Sequence, residues 1–252
     1  MREPVSICMA SYNGEQYIKN QISSILEQLT QDDELIIVDD CSSDSTVEII
    51  KAFTALSIKL YHNNINIGYV KTFEKAVSLS KNNIICLADQ DDIWIKGRLE
   101  LLYQTLKKEN VLVVASNFQV KNESQNNVKF LKLKHEDSKD LLGNIKRIFL
   151  GRSAYYGCTM MIDRKIFKYI LPFPIYTEAH DLWIAMTANL LKSIYHLNDN
   201  TLVYRVHQNN SSLKKRKLTQ KLIARYYFCK NILIILKRIN KFFLLFNSSS
   251  TL

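Results

Sequence analysis

Three carboxylates stand within four positions in Asp89-Gln90-Asp91-Asp92, directly after the apolar run Ile84 to Leu87. Like charges this close repel one another, and a hard divalent cation relieves the repulsion. Mg2+ and Mn2+ take oxygen ligands, and Mg2+ is commonly held by one or two carboxylates together with substrate phosphates. The pair Asp89 and Asp91 therefore reads as a handle for a metal-bound diphosphate; the plainer alternative is a loop of solvated acids ahead of a helix. A second acidic pair, Asp39-Asp40, ends the apolar run Leu35 to Val38. A carboxylate at that place accepts from a base N–H or a ribose hydroxyl. Helix capping accounts for Ser43 to Ser45 but not for two acids ahead of them. Arg205 offers a planar fork suited to phosphate. His207, in Arg205-x-His207-x-x-Asn210, reads equally as a ligand for diphosphate or metal and as a structural imidazole. Lys71 either reaches a phosphate or is solvated on a helix surface. Trp94 and Trp183 either stack on a sugar or base or fill the core.

The elements that must position these groups follow from two hydrophobic periods. Val5 to Met9, Leu35 to Val38, Ile58 to Tyr61, Ile84 to Leu87 and Val111 to Ala115 read as short buried strands. Between them, Ile18, Ile22, Ile25 and Leu29, then Ile49, Phe53 and Leu56, then Val70, Phe73 and Val77, then Leu99, Leu102 and Leu106 recur at helical spacing. Ser45-x-x-Glu48 is a capping-box pattern for the second helix. Strand–helix units repeating at this interval predict a parallel sheet with helices on its faces, and in such sheets ligands bind outside the carboxyl ends of the strands. Both acidic clusters fall on that edge. Residues 121–140 are polar, with Asn122, Asn126 and Asn127, and predict a loop or edge hairpin. Beyond them the pattern predicts a helix near 138–149, a strand from Gly157 to Ile162, an all-round apolar helix beginning near Glu178 and a closing strand at Val203 to Arg205.

The chain has 252 residues and a net charge of +10. Residues 201–252 hold eleven Lys and Arg and no acid, which leaves 23 basic and 24 acidic side chains in the first 200. The body is thus neutral, and the excess lies in a C-terminal stretch that mixes lysines with Leu222, Tyr226, Phe228 and Ile232 to Leu236. No apolar run reaches the ~20 residues needed to cross a bilayer. A basic helix carrying apolar and aromatic side chains suits an interface with anionic lipid; the alternative is a helix packed back on the body with its lysines solvated. Five cysteines, never in a C-x-x-C or zinc-ribbon spacing, and an N-terminus leading straight into a strand predict a reducing, cytoplasmic setting without a signal peptide. Dinucleotide, P-loop and nucleophile-elbow fingerprints do not occur.

The runs Ser6 to Gly14, Ile37 to Thr46, Asn66-Ile67-Gly68, Ala88 to Trp94, Gly157 to Met160, His180 to Trp183 and Tyr204 to Asn210 together resemble glycosyltransferase family 2, and most of all its rhamnosyltransferase-like bacterial members. The resemblance spans residues 4–210. It implies an α/β fold of the GT-A type, Rossmann-like with a mostly parallel sheet flanked by helices, over residues 1–212, with a basic helical extension over 213–252. It implies transfer of a sugar, rhamnose among the candidates, from a UDP- or dTDP-linked donor to a hydroxyl of a polysaccharide or lipid-linked glycan, with inversion and with Mn2+ or Mg2+. Carried over by position, Asp40 with Asp39 contacts base or ribose, Asp89 and Asp91 form the D-x-D with Asp91 on the metal, and Asp181 is the general base. Asp181 has a second reading as N-cap of a helix from Leu182. Ala10, Tyr12 and Gln90, inside the matching runs, are further candidate donor contacts beside Lys71 and Arg205, and His207 is a further candidate metal ligand. Cys41 stands where Gly is usual, Ala10 where Thr is common and His180 where many members have Glu. The expected location is the inner face of the cell membrane, held there by the tail, with no nucleic acid bound. The competing readings are a nucleic-acid binder using the basic tail and a sugar nucleotidyltransferase, whose Gly-rich phosphate loop is missing.

Overall fold

The computed structural model describes residues 2–122, 129–207 and 217–248. Asn126, Asn127, Gln208 to Asn210 and the expected 212/213 boundary lie outside them. Five strands were expected in the first half, and the early ones form as read: β1 (Val5–Ser11), β2 (Glu34–Asp39), β3 (Ile58–His62) and β4 (Ile84–Asp89), all parallel, with β1 between β2 and β4. Side chains alternate along them. Val5, Ile7 and Met9 of β1 enter one core, while Cys8 and Ala10 face the other. On the first face lie α1 (Ile18–Leu26), α2 (Thr46–Lys51) and α4 (Arg98–Lys108); on the second lies α3 (Tyr69–Leu79). Ile18, Ile22 and Ile25 are fully buried, at about 1.5–3 kcal/mol each. That burial outweighs the missing side-chain cap at the start of α1, worth about 1 kcal/mol.

The second half departs from a simple repeat. Among the described residues the sheet has eight strands in the order β3-β2-β1-β4-β7-β6-β8-β5, with β5 (Ile93–Trp94), β6 (Val113–Asn122), β7 (Met160–Asp163) and β8 (Ile194–Val206). The strand expected to continue the parallel series, β6, does not pair with β4. β7 inserts between them and runs antiparallel to both. A short, fully buried apolar run carries no sign of its direction, which is why the pattern missed this. β6 and β8 are parallel, and β5 closes the edge antiparallel to β8. The strand expected from Gly157 is first a 3-10 turn, Gly157–Thr159, and only then β7. The closing strand is the end of a 13-residue β8.

α5 (Leu141–Leu150), α6 (Phe167–Ile170) and α7 (His180–Leu190) cover the second face. α8 (Leu218–Ser248) lies outside them against α6 and α7. Ile235 of α8 is fully buried in the main core, Phe228, Ile232 and Ile239 pack beside it, and Arg238 donates to the carbonyls of Tyr169 and Pro172. The extension is therefore docked on the body along one face. Among the described residues no helix is long and apolar enough to cross a membrane.

Candidate active site

Asp39 and Asp89 end strands on either side of β1, two strand spacings or about 10 Å apart. The loop after β1 and the D-x-D are tied together by Gln90, whose side-chain amide accepts from Tyr12 N (2.9 Å) and donates to Tyr12 O (3.0 Å). Gly14 lies beneath this clasp, and a Cβ there would come within 2.3 Å of Gln90 Oε1 and push that side chain aside. Gln90 and Tyr12 thus hold the rim, and Ala10 is partly buried beside Asp89 on β1.

The Asp39-Asp40 pair is buried and well bonded. Asp39 accepts from Ser42 N, Ser42 Oγ and Ser11 Oγ. Asp40 accepts from Asn63 Nδ2 (2.8 Å), Ile67 N (2.9 Å) and Gly68 N (2.8 Å), fixing the loop that leads into α3. These two acids build loops first, which the sequence reading did not foresee. Between them and α2 sits Cys41 with φ +67°, the left-handed region, which explains why Gly is usual at this position. The capping box does not form: Ser45 makes no side-chain cap bond and its N–H goes to Glu15, while Asp44 accepts from Thr46 N.

Asp89 to Asp92 are the opposite case. Both Asp92 oxygens are sealed from water and, among the described residues, meet no donor but the weak Cys158 thiol. Ligand atoms of Asp89, Asp92 and Cys158 lie within 4.8 Å of one another. Burial and the neighbouring charges of Asp91 and Asp89 push the Asp92 carboxyl well up. The Asp89 carboxyl, desolvated and facing Asp91 and Asp181, is pushed up to about 7. An uncompensated buried carboxylate costs several kcal/mol, so this cluster holds protons or meets a cation. Asp91 pairs with His207, Nε2 to Oδ2 at 2.8 Å, and the His207 ring stacks on Tyr17 at 4.6 Å. Arg205 lies over the same Tyr17 ring at 5.5 Å. Carboxylate oxygens beside an imidazole are donors that Mn2+ and Mg2+ accept. Burial, then Asp92 and Asp89, raise the Cys158 thiol, so it stays protonated and backs the cluster.

The 3-10 turn ahead of β7 reaches this edge because the strand is reversed. Its Gly157 leaves room for His180: a Cβ would sit 2.3 Å from His180 Nε2. The His180 ring stacks on Phe73 at 4.0 Å, and burial holds it neutral, with its pKa near 3. α7 begins at this histidine, close to the expected start near Glu178, so Asp181 is inside the first turn and not an N-cap of a helix from Leu182. Its charge acts on Asp89 and on Tyr156.

Three residues read with two alternatives in the sequence take structural places. Lys71 Nζ donates to Glu74 (2.6 Å) and to the Phe173 carbonyl (3.2 Å), so two of its three N–H groups serve the connection between α6 and α7. Trp183 is buried with its Nε1 on the Ile170 carbonyl. Trp94 is buried beneath Arg98 at 4.8 Å, and neither indole is free to stack on a ligand. Sequence reasoning missed Arg98 itself. It is fully buried behind the acids and donates to Thr201 Oγ1 and the Cys158 carbonyl. Tyr17 was missed as well, and no local pattern marks it.

The family model for Glycosyl transferase family 2 matches residues 6–171. The chain is 28% identical over 244 residues to UDP-Glc:alpha-D-GlcNAc-diphosphoundecaprenol beta-1,3-glucosyltransferase WfgD of Escherichia coli, covering 92% of each. It is 29% identical over 221 residues to dTDP-rhamnosyl transferase RfbG of Shigella flexneri, covering 80% of this chain and 72% of that one. The structure of S. aureus TarS 1-349 in complex with UDP-GlcNAc is similar with a TM-score of 0.72 at 20% identity, covering 91% of this chain and 66% of that one. The mannosyltransferase PcManGT from Pyrobaculum calidifontis, in complex with GDP-Man and Mn2+, has a TM-score of 0.61 at 16% identity, covering 95% and 74%. At these identities the likeness between solved structures is one of fold.

Proposed function

The chain belongs to glycosyltransferase family 2, and from that premise we propose that it moves a sugar from a nucleotide-diphosphate donor, UDP- or dTDP-linked, to a hydroxyl of a polysaccharide or lipid-linked glycan acceptor, inverting the anomeric carbon. The observation that carries this reading is that Asp91 and Asp181 both stand close enough to raise the Asp89 carboxyl at the end of β4. Asp181 takes the acceptor hydroxyl's proton as that oxygen attacks. A single base opposite the leaving group gives direct displacement, hence inversion. Asp89, Asp91 and His207 would hold Mn2+ or Mg2+, and the bound ion would supply positive charge for the departing diphosphate. Arg205, steadied over Tyr17, meets a phosphate oxygen. A carboxylate has about four acceptor sites; Asp39 and Asp40 each use three in the fold and keep one for base or ribose. Rhamnose is one candidate among several sugars.

Asp181→Asn is expected to retain Mn2+-dependent binding of UDP or dTDP by calorimetry while transfer falls by about 10^2–10^4. Undiminished turnover removes Asp181 from its role, and product of unchanged anomeric configuration removes inversion.

The tail joins this reading as the contact with anionic lipid at the inner face of the membrane. Support comes from α8, whose outer side exposes Leu218, Leu222, Tyr226, Leu233 and Leu236 among Lys221, Lys230 and Lys237. Flotation with vesicles containing phosphatidylglycerol should carry the full chain, and Leu222→Glu/Leu233→Glu should stay behind; equal flotation of both ends the membrane reading.

A further inference from the structure

Tyr155 and Tyr156 are consecutive and take opposite places. Tyr155 enters the core covered by α5 and α7, where its hydroxyl accepts from Asn189 Nδ2 (3.1 Å) and pairs with His196 Nε2 (2.8 Å). Tyr156 turns to the other core and joins Phe118 of β6, Phe130 and Tyr204 of β8, with ring centroids 5.1, 6.1 and 6.0 Å away. Three aromatic neighbours fix the ring, which is half-buried. The hydroxyl is left over. It makes no hydrogen bond with any described residue, and it is not sealed from water as the Asp92 oxygens are. A tyrosine held this firmly usually finds a partner for its O–H. Phenylalanine would complete the same aromatic cluster, so packing does not account for the oxygen.

The surroundings of Tyr156 point to a partner that arrives from outside. Gly157, the next residue, packs on the His180 ring so closely that a Cβ would come within 2.3 Å of Nε2, and His180 directly precedes Asp181. Tyr156 and the proposed base thus belong to neighbouring places on two touching segments. Burial, and then the charge of Asp181, push the phenol up to about 12. Tyr156 therefore keeps its proton at neutral pH and acts as a hydrogen-bond donor, leaving proton removal to Asp181. In the sugar-transfer reaction, a donor beside the base serves the acceptor. A sugar that brings one hydroxyl to Asp181 brings others next to it, whereas an acceptor with a lone hydroxyl leaves the phenol unmet.

We propose that Tyr156 is an acceptor-binding residue, its hydroxyl donating to a second hydroxyl of the acceptor sugar while the reacting one faces Asp181. The inference rests on the glycosyltransferase reading and adds to it a residue that selects which acceptor hydroxyl reacts. Ring hydroxyls differ in their neighbours and in axial or equatorial direction. Two fixed contacts therefore admit few placements of the sugar, and each placement presents one hydroxyl to the base.

Saturation-transfer NMR titrations on the full chain, with UDP or dTDP and Mg2+, test this with the methyl glycosides of glucose, N-acetylglucosamine, galactose, mannose and rhamnose. The monodeoxy analogues of the tightest binder follow. At least two analogues should bind roughly three- to tenfold more weakly than their parent, one lacking the hydroxyl at Asp181 and one lacking its partner at Tyr156. Tyr156→Phe, which keeps the aromatic cluster, should accept one of these two as well as the parent glycoside, still reject the other, and bind the nucleotide as before. Its thermal midpoint should equal that of the unmodified chain, because the hydroxyl has no partner in the fold. Rejection of both analogues by Tyr156→Phe, rejection of fewer than two by the unmodified chain, or a midpoint lowered by several degrees overturns the proposal. So does a chain that binds UDP or dTDP but none of the glycosides. A chain that binds neither nucleotide would instead overturn the donor reading.

Discussion

Two acidic clusters share one edge of the sheet and live under opposite conditions. Asp39 and Asp40 are buried among six donors from loops and strand ends. Asp89 and Asp92 are desolvated and crowd one another, and Asp92 meets no donor among the described residues but the weak Cys158 thiol. Carboxylates of the first kind stabilise a fold. Those of the second kind destabilise it until a proton or cation arrives. The difference teaches where to look for chemistry: in the acids whose electrostatic needs the polypeptide leaves unmet.

The sharpest way to break this contrast is Asp89→Asn. Transfer should fall by about 10^2–10^4, yet the metal-free protein should become more stable. The native Asp89 carboxyl sits near 7, above its unfolded value of about 4. The folded state therefore binds more protons in that interval, and Asp89 makes stability fall as pH rises through it. The gain from Asn should be largest above pH 7 and vanish below about pH 4. Buried His180, with its pKa near 3, acts in the opposite direction between about 3 and 6.5, but it is common to both proteins and cancels in the difference. Thermal denaturation across pH, with chelator and then with Mn2+, reads this out. A variant less stable than the parent at pH 8 without metal would erase the distinction between the clusters.

Asp40→Ala probes the other side. Removing the acceptor leaves Ile67 N, Gly68 N and Asn63 without their partner, at a cost of about 2–3 kcal/mol by urea denaturation. A loss under about 0.5 kcal/mol would mean that the loop does not depend on this acid. Cys41→Gly should give the smallest effect. Relief of the left-handed backbone, about 1–2 kcal/mol, is partly offset by the entropy of glycine, leaving about 0.5–1 kcal/mol of stabilisation. Destabilisation by this change would place the value of Cys41 in its side chain.

Much of the first half was legible because period-two and helical spacings survive whatever the neighbours do, as β1 and α1 illustrate. The reversal of β7 was not, since Met160 to Ile162 would look the same in either direction. At the site, the acids themselves were visible by type and spacing. Their division into bonded and unbonded sets was hidden, because it depends on backbone N–H groups at Ile67 and Gly68 that belong to a loop some 27 positions away. Arg98 and Tyr17 were invisible for the same reason: each acquires its place through partners distant in the chain. Lys71 hid its partners in another way. A lysine near the edge looked available, and the connection carrying Phe173 had already engaged it.

The reciprocal pairing of Gln90 with the Tyr12 peptide also determines how such a protein would age. Slow deamidation at Gln90 would turn its donor into a second acceptor, set against the Tyr12 carbonyl, and would add a negative charge between two existing ones. The tips of two neighbouring strands would spread, and the catalyst would fail through a residue that need never meet its substrate.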